Sequence, residues 1–217
     1  MDDLSITPIN DTPANRYLID AAQRLCCGNM LATYKRHGFH WNEDQFKEKW
    51  QDNKNFAIRV NGEWVGFLSL KVLTDMLYLR DLQLLPDWQQ RGIGSACLEW
   101  LISLARQPEI SLQTADTHEM KIQKHLRALR LRVFSDSSAL ALYERHGFEQ
   151  VSEQCTPTRA GGILALQHNP HSTVSTHAMA DSTLHADSDV KAAVAQATLV
   201  SHSLSGIYAQ QRHHSLQ

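Results

Sequence analysis

The sequence predicts an α+β protein built on a mixed, mostly antiparallel sheet, and three observations carry that expectation. Asn61-Gly62 lies between two apolar runs, the strongest short hairpin signal a sequence offers. A third apolar run, Met76 to Leu85, follows the turn at Thr74-Asp75, so three antiparallel strands lead up to the first glycine-rich turn. Only after that turn do helix and strand alternate.

The elements come in the following order. Leu4 to Ile9 alternates and predicts an edge strand. Thr12-Pro13 opens a helix whose buried face is Leu18, Ala21, Ala22 and Leu25. Gly28 is expected to break or kink it, with a second segment from Asn29 to about Arg36 closed by His37-Gly38. A short helix runs from about Asn42 to Gln51, with Asn42 as its cap and Gln45 as capping-box partner. Strands then cover Phe56 to Val60, Trp64 to Leu73 and Met76 to Leu85, and a helix runs from Ile93 to about Arg106. The polar segment 107–125 reads as an irregular surface insertion with room for a short helix. Leu126 to Phe134 alternates as a strand, Ala139 to Arg145 is helical, and Glu149 to Cys155 and Gly162 to Leu166 form a final antiparallel pair.

The stretch from Leu79 to Leu98 organises the rest. Leu79 to Leu85 is apolar enough for a buried strand, and Pro86-Asp87 ends it. From Gly92 onward Ile93, Cys97, Leu98, Leu101, Ile102 and Ala105 recur at helical spacing, which puts the glycines at a helix N-terminus. There the first amides have no intrahelical acceptor and the dipole is positive, so an anion is favoured. Gln89 and Arg91 flank the turn and add donors. A Walker-type Gly-Lys-Ser/Thr is absent, and Cys97 stands where a dinucleotide fingerprint needs its third glycine. What remains is Gln-x-x-Gly-x-Gly, read either as a phosphate cradle or as a tight turn that starts a helix.

The bulk numbers narrow the class. With 217 residues, 42% hydrophobic and a net charge of -2, the chain has an ordinary core and no basic footprint for nucleic acid. No apolar run is long enough to span a membrane, and Met1-Asp2-Asp3 is unlike a signal peptide, so a cytoplasmic protein is expected. Cys26, Cys27, Cys97 and Cys155 fit neither zinc spacing nor a disulfide framework and read as small buried hydrophobes. The division expected is a domain over 1–168 and a His/Ser/Ala-rich tail over 169–217, largely disordered, with one helical stripe near 188–210. Seven of the twelve histidines lie from His168 onward, but their scatter argues against a metal site, and none is expected.

A second motif, Asp136-Ser137-Ser138-Ala139-Leu140-Ala141-Leu142-Tyr143-Glu144-Arg145-His146-Gly147-Phe148, comes after a strand. Together with Gln89 to Gly94 after the Leu82-to-Pro86 strand, it resembles the two signatures of the GNAT N-acetyltransferase superfamily. Ala139, Leu142, Tyr143, Gly147 and Phe148 match the second, and Asp136 stands where the family usually has asparagine. The resemblance covers about residues 4 to 167. It implies helices on both faces of a sheet splayed between the Leu82–Leu84 and Leu129–Val133 strands.

It also implies roles. Amides around Gln89, Gln90, Arg91, Gly92, Ile93, Gly94 and Ser95 hold the pyrophosphate of acetyl-CoA, used as acyl donor. The backbone of Leu82 and Leu84 bonds pantetheine, with Asp136 near that arm. Tyr143 donates a proton to the leaving thiolate; a core tyrosine is the plainer reading. Asp81, the acidic residue of the central strand, is the candidate base, against a salt bridge with Arg80 or Arg132 or a water chain in its place. Arg132 occupies the position where some family members carry a glutamate. Tyr34, Phe39, Trp41, Phe46 and Trp50 wall the acceptor site or pack a core, and Glu43 and Asp44 could draw in a cationic amine. The expected acceptor is a small-molecule or peptide amine, handled by a monomer or homodimer. The rival functions are a non-catalytic acyl-CoA-binding regulatory module and, less consistent with the antiparallel strands, a nucleotide-binding oxidoreductase.

Overall fold

A seven-stranded sheet carries the molecule, in the order β1-β2-β3-β4-β7-β9-β8. The computed structural model describes residues 3–10, 12–73, 75–107, 110–113, 119–122 and 126–172. The strands are β1 (Leu4–Pro8), β2 (Lys54–Val60), β3 (Glu63–Val72), β4 (Met76–Leu84), β7 (Ala128–Phe134), β8 (Glu149–Thr158) and β9 (Gly161–His168). Every pairing is antiparallel except β4 with β7. Asn61 and Gly62 both take positive φ, 50° and 81°, the backbone of the two-residue hairpin the sequence predicts.

Helices cover both faces. On one side, α3 (Ile93–Arg106) and α4 (Leu140–Arg145) pack Cys97, Leu98, Leu101 and Leu142 onto Leu68, Leu79, Leu82 and Leu84. On the other, α1 (Arg16–His37) and α2 (Glu43–Asp52) pack Leu18, Ala22, Met30 and Trp50 onto Ala57, Phe67, Phe134 and Ile163. Asn42 caps α2 as predicted, its side chain accepting from the Gln45 amide at 2.9 Å.

Four expectations from the sequence are corrected. Gly28 does not break α1, which runs unbroken for 22 residues. A mid-helix glycine costs about 1 kcal/mol, and burial of Leu18, Ala22, Leu25, Cys26 and Met30 on both sides of it outweighs that cost. The helix ends where expected, with Gly38 at φ 84° and the Phe39 amide returning to the Tyr34 carbonyl at 2.8 Å. Within 107–125, expected to be an irregular insertion with room for a short helix, the described residues include two strands, β5 (Ile110–Gln113) and β6 (Glu119–Ile122), paired as a separate antiparallel ribbon. The last two strands run longer than predicted, because β9 has a partner on each side. Of the four cysteines, all free, only Cys26 and Cys97 are buried, and Cys155 is exposed. The tail helix expected near 188–210 lies outside the described residues.

Candidate active site

β4 and β7 pair from Met76↔Ala128 to Leu79↔Leu131 and no further, although β4 continues to Leu84 and β7 to Phe134. The parting begins at an irregularity in β4. Against β3, Ser69 faces Asp81 and Leu70 faces Leu79, so Arg80 is an extra residue, a bulge that twists the strand. Beyond it β4 still pairs with β3 at Leu68↔Leu82 and Gly66↔Leu84. The Leu84 carbonyl accepts from Asn29 Nδ2 at 3.1 Å and Gln89 Nε2 at 3.0 Å, both side chains, which puts it on the edge turned toward β7. Leu82 has the same parity. The two backbone positions expected to bond pantetheine therefore border the opening, with the Leu84 oxygen already bonded by two amides.

The glycine turn lies at the end of the same strand. Pro86–Trp88 form one 3-10 turn, and the Gln89 amide returns to the Pro86 carbonyl at 3.2 Å. Gln90 comes next at φ 59° and Gly92 at φ 82°, both left-handed. The first helical bond of α3 runs from the Ala96 amide to the Gly92 carbonyl at 3.0 Å, so the amides of Ile93, Gly94 and Ser95 precede any intrahelical acceptor. Gln89 to Ser95 are thus contiguous at the mouth of the opening. Gln89 ties its side chain to the strand end, and Arg91 lays its guanidinium over the Trp88 ring at 5.2 Å, leaving the turn a cation on an indole.

Tyr143 reaches the core from α4. It is fully buried, edge-on to Phe148 at 5.8 Å, and among the described residues its hydroxyl has no hydrogen-bond partner. Burial, and secondarily the Asp81 charge, push its ionisation far up, so it holds its proton at any physiological pH.

Asp81 points to the other face of β4. It is 8% exposed and accepts from the Cys26 thiol at 3.7 Å. Burial raises its carboxyl to about 6; Arg80, the Cys26 thiol, Lys49 and Gln83 each pull in the opposite direction. Asp81 lies at one wall of a cavity of about 30 Å³, room for about two waters. Tyr34, Trp41, Phe46 and Trp50 wall it, in ring contact one after another with centroids 6.3, 5.7 and 5.6 Å apart, the first pair stacked and the next two tilted. The aromatic residues are therefore both core and wall, whereas Phe39 packs on Phe134. Glu43 and Asp44 sit in the exposed first turn of α2 and do not line the cavity.

The family model described as Acetyltransferase (GNAT) domain matches residues 51–150, from the end of α2 into β8. The [Ribosomal protein bS18]-alanine N-acetyltransferase of Escherichia coli strain K12 is 28% identical over 119 residues, 54% of this chain and 70% of that protein. The crystal structure of the ribosomal-protein-S18-alanine N-acetyltransferase from Escherichia coli superposes with a TM-score of 0.52 at 23% identity, covering 82% of this chain and 100% of that one. A GNAT family acetyltransferase from Elizabethkingia anophelis with acetyl-CoA bound gives a TM-score of 0.52 at 14% identity, over 78% and 99%.

Residues 51–150 carry a GNAT acetyltransferase domain.

As a GNAT protein it is an acetyl-CoA-dependent N-acetyltransferase by class, and its departures from the family pattern gain meaning. Asp136, expected beside the pantetheine arm, is engaged by the end of α1. Arg36 donates to Oδ2 through Nε at 2.9 Å and Nη2 at 2.8 Å, and His37 Nε2 lies 2.9 Å from Oδ1. The carboxylate has no proton to give, so His37 carries the proton on Nε2, with Nδ1 against Thr158 Oγ1 at 2.6 Å. Partial burial pushes the Asp136 carboxyl up, but the hydrogen bonds and charges of His37 and Arg36 prevail and hold it below its usual range. An aspartate in the GNAT asparagine position is thus the anchor of α1 to the turn after β7.

Sequence reasoning missed Cys26, Asn29, Lys49 and Ser69. Cys26 and Asn29 reach β4 from the buried face of α1, and a polar residue on that stripe was the available signal. Lys49 and Ser69 left none, because their place depends on α2 crossing β3.

Proposed function

We propose that this GNAT enzyme moves an acetyl group from acetyl-CoA to the α-amine of a peptide or small-molecule acceptor, by direct attack on the thioester. The observation that carries the reading is Tyr143: a fully buried hydroxyl with no partner among the described residues, on the helix next after the splayed strand. A buried polar group without a partner costs about 1–3 kcal/mol, and a leaving thiolate at the opening is a partner that would repay it.

The chain fits the donor. The Leu82 and Leu84 edge borders the opening, and the turn Gln89, Gln90, Arg91 and Gly92 leads into the amides of Ile93, Gly94 and Ser95, which precede any intrahelical acceptor and would meet a pyrophosphate. Acetyl-CoA supplies an activated acyl thioester. Asp81, ionised above about pH 6, takes the proton of the incoming ammonium. The nitrogen lone pair forms the N–C bond, the C–S bond breaks as Tyr143 gives its proton to the sulfur, and the second proton, shed by the nitrogen as it becomes an amide, returns to Tyr143. Asp136 acts at a distance, by fixing α1 against the β7 turn.

Proton transfer to a carboxyl near 6 is uphill by roughly 2 units from an α-amine but by roughly 4 from a lysine. That difference favours an α-amine, in keeping with the alanine N-acetyltransferase name of the curated relative. On this reading the enzyme works in the cytoplasm as a monomer or homodimer.

The test is a thermal-shift series with acetyl-CoA, CoA and NAD, and then thiol release with a panel of amines. Acetyl-CoA and CoA raise the Tm, NAD does not, and α-amines release thiol. Stabilisation by acetyl-CoA with no turnover on any amine would leave a non-catalytic acyl-CoA-binding module.

A further inference from the structure

Beside the Tyr143 hydroxyl, a second buried donor near the opening has no hydrogen-bond partner among the described residues: Nε2 of Gln83. Gln83 is 0% exposed and stands on β4 between Leu82 and Leu84, the two residues whose edge borders the opening. The pleat turns its side chain to the face opposite theirs. Leu82 and Leu84 pack in the same cluster as Tyr143, whereas Gln83 lies across from Phe67 of β3 and meets Asn29 of α1. Each face of β4 at the opening therefore carries one unpartnered donor.

Asn29 fixes the direction of the Gln83 amide. Its Nδ2 lies 3.1 Å from the Leu84 carbonyl oxygen and 3.0 Å from Gln83 Oε1. A carbonyl only accepts, so the Asn29 atom against it is the nitrogen, and the Gln83 atom that takes the other Asn29 proton is the oxygen. The Gln83 nitrogen is thereby turned away from Asn29. It is near enough to Asp81, two residues back on the same face, to pull that carboxyl downward.

A thioester under attack gathers negative charge at two atoms, the sulfur and the carbonyl oxygen. Tyr143 answers the first. A buried N–H held in one direction suits the second, because it need not reorganise as the charge appears.

We propose that Gln83 is a further catalytic residue, its Nε2 donating a hydrogen bond to the acetyl oxygen of the donor as the amine attacks, and that Asn29 is its positioning residue. The inference rests on the N-acetyltransferase reading. Gln83 keeps its protons throughout: the N–C bond forms, the carbonyl π electrons move onto the oxygen under the hydrogen bond, and they return as the C–S bond breaks.

Two readouts test it. The first needs no acceptor: the infrared difference spectrum of the protein loaded with acetyl-CoA isotope-labelled at the acetyl carbonyl. A hydrogen bond to that oxygen lowers its stretch, so Gln83→Met should move the band up toward the free value, with the Tm rise and affinity for acetyl-CoA unchanged. Asn29→Ala, which frees the Gln83 amide to turn, should move it part of the way. The second is thiol release with an α-amine, where Gln83→Met should lower kcat about a hundredfold, and the loss should persist above the Asp81 limb. A band that stays in place in both variants overturns the assignment. So does a kcat that recovers once Asp81 is ionised, since Gln83 would then act only through that carboxyl. A displaced band in a protein that turns over no amine supports the Gln83 donor and removes the transfer reaction instead.

Discussion

The Cys26 thiol donates to Asp81 Oδ1 at 3.7 Å, from the middle of α1 onto the residue just past the β4 bulge. Its removal should act through Asp81. The hydrogen bond favours the ionised carboxylate, so Cys26→Ala should move the acidic limb of the kcat/KM profile from about 6 to higher pH, and Cys26→Ser should restore it. A pH profile of thiol release is the measurement; an unmoved limb would separate Cys26 from Asp81.

Asp81 itself should trade stability for activity. Its folded carboxyl, at about 6, lies above the ordinary 3.8, so the native state prefers the protonated form. The stability it contributes is complete below pH 3.8 and is lost as pH rises through about 6. Asp81→Asn should therefore raise stability at pH 8, by on the order of 3 kcal/mol at most, and leave it unchanged near pH 3. Turnover should fall by about a hundredfold or more. Urea unfolding at the two pH values, beside thiol release, checks both.

Tyr143→Phe removes a buried hydroxyl that has no partner among the described residues. The variant should be as stable as the parent or more so, by about 1 kcal/mol, while kcat falls by about a hundredfold. Denaturation and kcat must diverge in this way; a kcat equal to the parent's takes Tyr143 out of proton donation.

Gln90 holds φ 59°, a left-handed backbone that side chains adopt at a cost of about 1 kcal/mol. Gln90→Gly relieves that strain and should leave acetyl-CoA binding intact with equal or higher Tm. Gly92→Ala, at φ 82°, imposes the same strain at the start of α3 and should lower both Tm and acetyl-CoA affinity. Calorimetry with acetyl-CoA measures the two together.

Asp136→Ala deletes the anchor between α1 and the β7 turn. Because the folded carboxyl is held below its usual range, its contribution is present above the ordinary carboxylate pKa and lost as pH falls through the folded value. The variant should lose about 1 kcal/mol at pH 7, and the gap to the parent should narrow in acid. A Tm-versus-pH series on the two proteins shows it.

The sheet partners, the α3 turn and the amphipathic faces were legible because their signals are local. Asn61-Gly62 needs only its own two backbones, Asn42 reaches only Gln45, and Ile93 to Ala105 repeat within one helix. Gly28 misled for the same reason. Its local cost is real, but α1 is held by a packed face whose partners, among them Ala57 and Phe67, are remote in sequence.

The sequence by itself determined the Asn61-Gly62 hairpin, the glycine turn ahead of α3 and the motif positions of Asp81 and Tyr143, through period, turn chemistry and motif spacing. Only the tertiary structure decided that β4 bulges at Arg80 and leaves β7, that Cys26 meets Asp81, and that Asp136 is held by Arg36 and His37. Those contacts join residues 55 and about 100 positions apart. Desolvation and charge pairing, which set each group's proton affinity, exist only once the chain has brought those residues together.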